Sequence, residues 1–183
     1  MITLVLGGTR SGKSAVAERL VLAYPGPTAY LATGRATDPD MGHRIERHRQ
    51  DRDPRFATFE VGADLARGLH EAPAIPTLVD ALGTWVAGLP EFSDGESSDR
   101  IPELDARFDR RVGELLDALT ARSAPTIVVS DEVGLGVHPT SVVGRRFRDL
   151  VGTLNQRVAT VADEVLLVVA GRTLRLDPPP ESA

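Results

Sequence analysis

A P-loop α/β fold, with a mostly parallel sheet covered by helices on both faces, is predicted by three features of the sequence. Residues Gly7-Gly8-Thr9-Arg10-Ser11-Gly12-Lys13-Ser14 satisfy G-x-x-x-x-G-K-[ST] at every required place, between an apolar run and a helix-like segment. Short, nearly continuous apolar segments alternate with stretches of helical periodicity, as buried parallel strands and crossover helices do. The 183 residues, 42% of them hydrophobic, suit one sizeable core. A single domain over residues 1–176 is therefore expected, with 177–183 as a disordered tail.

Taken in order, Ile2-Thr3-Leu4-Val5-Leu6 is the first strand and leads into the Gly-rich loop. Ala15 to Ala23 carries Val16, Ala17, Leu20 and Val21 at helical spacing, and Tyr24-Pro25-Gly26-Pro27 ends that helix. Thr28 to Ala32 is a second buried strand, with Thr33-Gly34 opening a loop at its carboxyl end, where ligands of parallel sheets usually sit. Asp38-Pro39-Asp40 has the composition of a helix start, and the helix is expected to run to Arg52. Val61 to Leu69 predicts a short helix, and Thr77-Leu78-Val79-Asp80 a strand ending in an acid. Residues Pro90 to Pro102 contain few apolar positions and predict a mobile surface insertion. Leu104, Phe108, Val112, Leu115 and Leu119 mark a long amphipathic helix, followed by the strand Thr126–Ser130 and then Asp131-Glu132. Val143, Phe147, Leu150, Leu154 and Val158 mark another helix, Val165–Ala170 a last buried strand, and Thr173–Leu176 a short edge strand.

Composition narrows the function. The sequence has no cysteine, which excludes disulfides, zinc–thiolate sites and thiol nucleophiles and fits a reducing compartment, with the cytoplasm as the expected location. The amino terminus enters the first strand directly, and no apolar run approaches the roughly 20 residues needed to cross a bilayer, so neither a targeting segment nor a membrane role is expected. A formal net charge of −5 argues against wholesale nucleic-acid binding while leaving room for a local basic phosphate pocket.

The P-loop supplies the first piece of chemistry. Glycine at positions 7 and 12 lets successive N–H groups turn inward around phosphate oxygens at the positive end of the following helix. Lys13 then reaches the β/γ-phosphates, and the Ser14 hydroxyl ligates Mg²⁺. Asp80, at a strand end, has the character of a Walker B carboxylate; Asp131 and Glu132 occupy the same kind of position one strand later, so the metal acid lies among these three. Asp80 is the first choice, and capping of a following helix is the alternative role for each.

The segment Met41 to Arg55 supplies the second. Met41, Ile45 and His48 fall at i, i+4 and i+7, so His48 sits on the stripe facing the protein body, surrounded in sequence by Arg44, Arg47, Arg49, Arg52 and Arg55. That cationic density favours a neutral imidazole and attracts polyphosphate, the conditions for a nitrogen nucleophile; a salt-bridged surface helix with His48 as filler is the alternative. D-x-x-G occurs three times, at Asp80, Asp131 and Asp149, too often for the string to signify a switch, and no N-K-x-D guanine-recognition string is present. His43, His70 and His138 have no partner at metal-ligand spacing and read as surface or helix-end residues.

GGTRSGKS, YLATG, RIERHRQDR, LVDALGTW, VVSDEVGLGVHP and FRDLVGTLNQRVA, in this order along nearly the whole chain, resemble the bifunctional adenosylcobinamide kinase / adenosylcobinamide-phosphate guanylyltransferase family of cobalamin biosynthesis. The resemblance implies a RecA-like P-loop fold, a homotrimer and a guanylylated histidine, which by position is His48. It further implies that Gly7 to Ser14 cradle the triphosphate of GTP or ATP and that Ala32, Thr33 and Gly34 line the nucleotide pocket. Arg49, Gln50, Asp51 and Arg52 would contact GTP just after the nucleophile, as would Glu60 and Leu82 from two further family positions. Two departures occur: Arg47 stands where another His is common, and QDRDPRF replaces a Gly-containing turn, which leaves the part played by Gln50 and Asp51 open. The implied reactions are phosphorylation of adenosylcobinamide by ATP or GTP, then GMP transfer from GTP to adenosylcobinamide phosphate. A plain small-molecule P-loop kinase and a nucleotide-dependent regulatory module are the alternatives.

Overall fold

The computed structural model describes residues 1–34, 52–93 and 101–179. The expected helix from Asp38 toward Arg52, with His43 and His48, lies outside these residues, as do positions 94–100 of the expected insertion and the last four residues of the tail.

The described elements are β1 (Ile2–Gly7), α1 (Lys13–Leu22), β2 (Thr28–Ala32), β3 (Phe56–Glu60), α2 (Leu65–Glu71), β4 (Thr77–Asp80), α3 (Leu82–Ala87), α4 (Pro90–Ser93), α5 (Ile101–Ala121), β5 (Thr126–Asp131), α6 (Val142–Ala159), β6 (Glu164–Val169) and β7 (Arg172–Leu176). The strands form one seven-stranded sheet in the order β3-β2-β4-β5-β1-β6-β7, with β7 antiparallel to β6 and every other neighbour pair parallel. β5 thus lies between the P-loop strand and β4, and the mostly parallel P-loop sheet that the sequence predicts is present. The carboxyl ends of β1, β4 and β5 consequently meet along one edge, which brings Gly7, Asp80 and Asp131 together.

Alternation along the strands sorts the core into two layers, because successive strand side chains point to opposite faces. Leu4, Leu6, Leu31, Val79 and Val128 face the helices α2, α3, α5 and α6, with Leu65, Trp85, Phe108, Val112 and Leu154 among their partners. Val5, Tyr30, Leu78, Ile127 and Val129 face the other way, onto Val16, Ala17 and Val21 of α1. Trp85 is the largest fully buried side chain, and its indole N–H donates to the Ala63 carbonyl at 3.0 Å. Trp85→Ala removes the ring and orphans that carbonyl, so a loss of about 3–5 kcal/mol is expected, read as a lowered midpoint in urea unfolding.

Several elements differ from the sequence reading for physical reasons. β3 was not expected: FATFE lies at the sheet edge with three of its five residues exposed, so it carries no buried apolar run to announce it. The helix expected from Val61 begins at Leu65, because Val61 continues the strand-end pairing with Ala32 O and Gly62 turns the chain at φ +51°. α3 was also missed, and the stretch expected to be an insertion from Pro90 instead starts as α4. There the carboxylate of Glu91, only 4% exposed, accepts from Arg111 Nε at 3.0 Å, which ties α4 to α5.

Candidate active site

The P-loop leaves β1 and enters α1 through a turn in which Ser11 N donates to Gly8 O at 3.2 Å and Lys13 N to Ser11 Oγ at 3.3 Å. Gly7 has no room for a side chain: a Cβ would lie 2.4 Å from Ser11 Oγ and 2.9 Å from Val168 O. Gly12 caps α1 at φ +91°, and a Cβ there would sit 3.3 Å from Gly171 in the β6–β7 turn, whose N–H donates to Ser11 O at 2.7 Å. The loop is thus gripped from beneath by the hairpin, and the first turn of α1, which contains no acidic residue, keeps its free N–H groups for an anion.

Two carboxylates answer the two catalytic-type side chains of the loop. Lys13 Nζ lies 2.7 Å from Asp131 Oδ1 and 3.4 Å from Gly8 O, with the amine end mostly shielded from solvent. Ser14 Oγ donates to Asp80 Oδ1 at 3.4 Å. Of the acids that the sequence left in competition, Asp80 is therefore the one beside Ser14, and Asp131 the one beside Lys13. Glu132 does a third job: its Oε1 accepts from Gly134 N at 2.6 Å and Leu135 N at 3.3 Å, shaping the loop after β5.

These side chains border a cleft of about 430 Å³, lined among others by Thr9, Arg10, Ala32, Gly34 and Arg52. Thr33 is buried behind it; its Oγ1 accepts from Ala81 N at 3.0 Å and lies 2.7 Å from Thr84 Oγ1, fastening the end of β2 to the start of α3. Ala32 pairs in register with both Glu60 and Asp80, so these three positions form one row across β3, β2 and β4. Glu60 is exposed at the end of that row, whereas the Leu82 side chain is buried in the core, so only its backbone can face the cleft. His48, Arg49, Gln50 and Asp51 lie outside the described residues. His70 and His138 are exposed, as expected, the latter with Nδ1 2.6 Å from Arg148 Nη1.

A larger cavity of about 780 Å³, bounded by α6, β6, β7 and the tail residues Asp177 to Pro179, shares only Glu132 and Val133 with the cleft. It lacks the P-loop, so size alone does not identify the nucleotide site: the smaller, more polar cleft holds the groups a triphosphate needs.

Three residues of the site were not singled out from the sequence. Tyr30, read there only as part of a buried strand, donates its phenol O–H to Asp80 Oδ2 at 2.5 Å. Asn155 of α6 is 8% exposed, accepts from Ser130 Oγ at 2.6 Å and donates to Asp131 O at 3.0 Å, pinning the end of β5. Gly83 gives Asp131 its space, since a Cβ there would stand 2.0 Å from Asp131 Oδ2. For Asn155 alone there was a usable signal, a polar group inside an apolar pattern, which must find a partner. Gly83→Ala is expected to displace the Asp131 carboxylate from Lys13 and lower phosphoryl transfer by about tenfold, with binding of the nucleotide less affected. Unchanged turnover in a steady-state kinase assay would contradict that.

The model of the family described as cobinamide kinase / cobinamide phosphate guanyltransferase matches residues 3–176. The chain belongs to this family. Every residue of the cleft falls within the matched span. Relatives include the "Bifunctional adenosylcobalamin biosynthesis protein CobP" of Pseudomonas aeruginosa, 38% identical over 96% of this chain and 97% of its own. The "Bifunctional adenosylcobalamin biosynthesis protein CobU" of Salmonella typhimurium is 35% identical over 93% of this chain and 97% of its own. Among solved structures, that of the RadB recombinase aligns over 91% of this chain and 73% of its own with a TM-score of 0.48 and 19% identity. No helix among the described residues is long and apolar enough to cross a membrane.

Proposed function

We propose that this member of the cobinamide kinase / guanyltransferase family carries out both reactions of the family description. It phosphorylates the aminopropanol hydroxyl of adenosylcobinamide with ATP or GTP, then transfers GMP from GTP, through a guanylyl-histidine, to adenosylcobinamide phosphate to form adenosylcobinamide-GDP. The observation that carries this reading is the convergence of Lys13, Ser14, Asp80 and Asp131 on one cleft beneath a full P-loop, in a chain that the family model spans almost entirely.

In the kinase step the backbone N–H groups of residues 7–14 hold the β- and γ-phosphates, and Lys13 leaves Asp131 to neutralise the charge that develops on the transferring group. The residues also suit Mg²⁺: a hydroxyl and a carboxylate, Ser14 and Asp80, meet at the phosphate end of the cleft, and Mg²⁺ takes few protein ligands when phosphate oxygens complete its shell. Ser14 and Asp80 would hold the ion, which would offset phosphate charge when bound. In the transferase step His48 attacks the α-phosphorus of GTP, a P–N bond forms as the P–O bond to pyrophosphate breaks, and a phosphate oxygen of the acceptor then displaces the imidazole. Arg49, Gln50, Asp51 and Arg52, with Ala32, Thr33, Gly34, Glu60 and the Leu82 backbone, are assigned to GTP. Arg52 is supported by its position on the cleft wall.

Residues 1–176 act as one unit in this account, and the absence of cysteine favours a cytoplasmic setting. The active assembly is a homotrimer, as the family resemblance implies. Analytical ultracentrifugation at micromolar concentration should therefore return a trimer, and a monomer with full transferase activity would contradict that assembly. The function itself is tested by incubating the protein with adenosylcobinamide, GTP and Mg²⁺ and resolving the products. The reading requires adenosylcobinamide phosphate to appear first and adenosylcobinamide-GDP after it. Accumulation of the phosphate alone favours the plain kinase, and slow GTP hydrolysis with no corrinoid product favours the regulatory module.

A further inference from the structure

The two oxygens of Asp80 have different partners, and the difference is built by β2. Oδ1 faces the P-loop and accepts from Ser14 Oγ, while Oδ2 is held by the Tyr30 phenol. Tyr30 is 3% exposed and its ring is clamped on two sides. Phe56 meets it edge-on at 5.5 Å between centroids, and the Arg52 guanidinium lies 3.5 Å from its centroid while Arg52 Nη1 donates to Thr58 Oγ1 at 3.1 Å. The ring therefore has little freedom to leave. A tyrosine phenol is ordinarily neutral near neutral pH, so Tyr30 has an O–H to donate to Asp80 Oδ2.

We propose that Tyr30 is a positioning residue for the reaction: its O–H occupies one oxygen of Asp80 and fixes the carboxylate so that the other oxygen is presented, beside Ser14, to the Mg²⁺ of the bound nucleotide. Although Tyr30 borders the cleft, its hydroxyl is given to Asp80, and in this account it acts through that carboxylate. A carboxylate without this anchor has a free torsion and a second unpartnered oxygen, and both weaken its use as a single directed ligand. The same strand thus shapes the cleft twice, through Tyr30 and through Thr33 at its end. This inference rests on the assignment of Mg²⁺ to Ser14 and Asp80, so its test separates the two.

The measurement is binding of a fluorescent GTP analogue to the full chain, titrated with Mg²⁺ and repeated in EDTA, for the wild type, Tyr30→Phe and Asp80→Asn. Tyr30→Phe keeps the ring and its packing. The Mg²⁺ concentration that gives half of the metal-dependent tightening is expected to rise about tenfold or more, as loss of one hydrogen bond to a charged group implies, with affinity in EDTA unchanged. Asp80→Asn is expected to lose most of the metal-dependent tightening. If Asp80→Asn responds to Mg²⁺ as the wild type does, the metal assignment fails and the inference fails with it. If Asp80→Asn loses the response but Tyr30→Phe titrates like the wild type, the positioning role alone is overturned. Equal weakening of Tyr30→Phe with and without Mg²⁺ marks a merely structural tyrosine and overturns it too. Should Tyr30→Phe fail to fold, 3-fluorotyrosine at the same position, which keeps the O–H and alters its donor strength, gives the same readout: a shifted Mg²⁺ midpoint supports the role and an unshifted one overturns it.

Discussion

Lys13→Ala is expected to lower both phosphorylation of adenosylcobinamide and guanylyl transfer by about 10²–10³-fold, the usual cost of deleting one preorganised charge partner from a developing phosphoryl centre. Both steps begin with a triphosphate in the same loop, so the two losses should be parallel. The geometry adds a second consequence. Lys13 is the partner of Asp131, 2.7 Å away and mostly shielded, so its removal leaves a carboxylate facing the phosphates with nothing to offset it. Lys13→Ala should therefore bind nucleotide more weakly than a simple loss of one contact predicts, and Lys13→Ala/Asp131→Asn should recover part of that binding while remaining inactive. Near wild-type turnover of either reaction by Lys13→Ala, in parallel steady-state assays, would remove the P-loop from the mechanism.

His48→Ala is expected to abolish guanylyl transfer and labelling of the protein by α-labelled GTP, while phosphorylation of adenosylcobinamide survives at a substantial fraction of the wild-type rate. Transfer of a γ-phosphoryl group needs charge neutralisation and positioning but no imidazole, whereas the second reaction needs a nitrogen nucleophile. The separation matters because the groups assigned to phosphate and metal are paired with one another, Lys13 with Asp131 and Ser14 with Asp80, so the kinase half of the site is built from residues other than His48. His43 is five residues earlier in sequence, which on the helix expected for this segment would place it about 140° from His48, and His43→Ala should leave both reactions nearly unchanged. Label that persists in His48→Ala, or that is lost in His43→Ala, would show that the nucleophile is another residue.

The parts of the fold that were legible in the sequence are those in which local and tertiary demands agree. The P-loop was readable because its glycines are required by backbone angles and by clearances such as that of Gly7 from Ser11 and Val168, and no other residue type meets both. The buried strands were readable because β1, β2, β4 and β5 are covered on both faces and so carry unbroken apolar runs such as Leu4-Val5-Leu6, Leu78-Val79 and Ile127-Val128-Val129. β3 was not, since an edge strand needs no such run, and neither was α3, which carries Gly83 for the sake of Asp131 rather than for helix formation. The site was half legible. Strand-end acids could be recognised as a set, but their division, Asp80 to Ser14 and Asp131 to Lys13, depends on β5 lying between β4 and β1, a fact of topology that no local pattern carries. Tyr30 was illegible for a related reason: within TAYLA it satisfies the hydrophobic pattern with its ring, and only the position of β4 beside β2 gives its hydroxyl a partner.

The most direct test of the central claim, one P-loop cleft serving two chemistries with a guanylylated histidine, is peptide mass spectrometry of the wild-type protein after brief incubation with GTP and Mg²⁺ and without corrinoid. The account predicts one GMP per labelled chain, on the peptide that contains His48, stable to alkali, labile to acid as a phosphoramidate is, and discharged when adenosylcobinamide phosphate is added. A GMP adduct on any other residue, or adenosylcobinamide-GDP formed at full rate by protein that never carries the adduct, would contradict it.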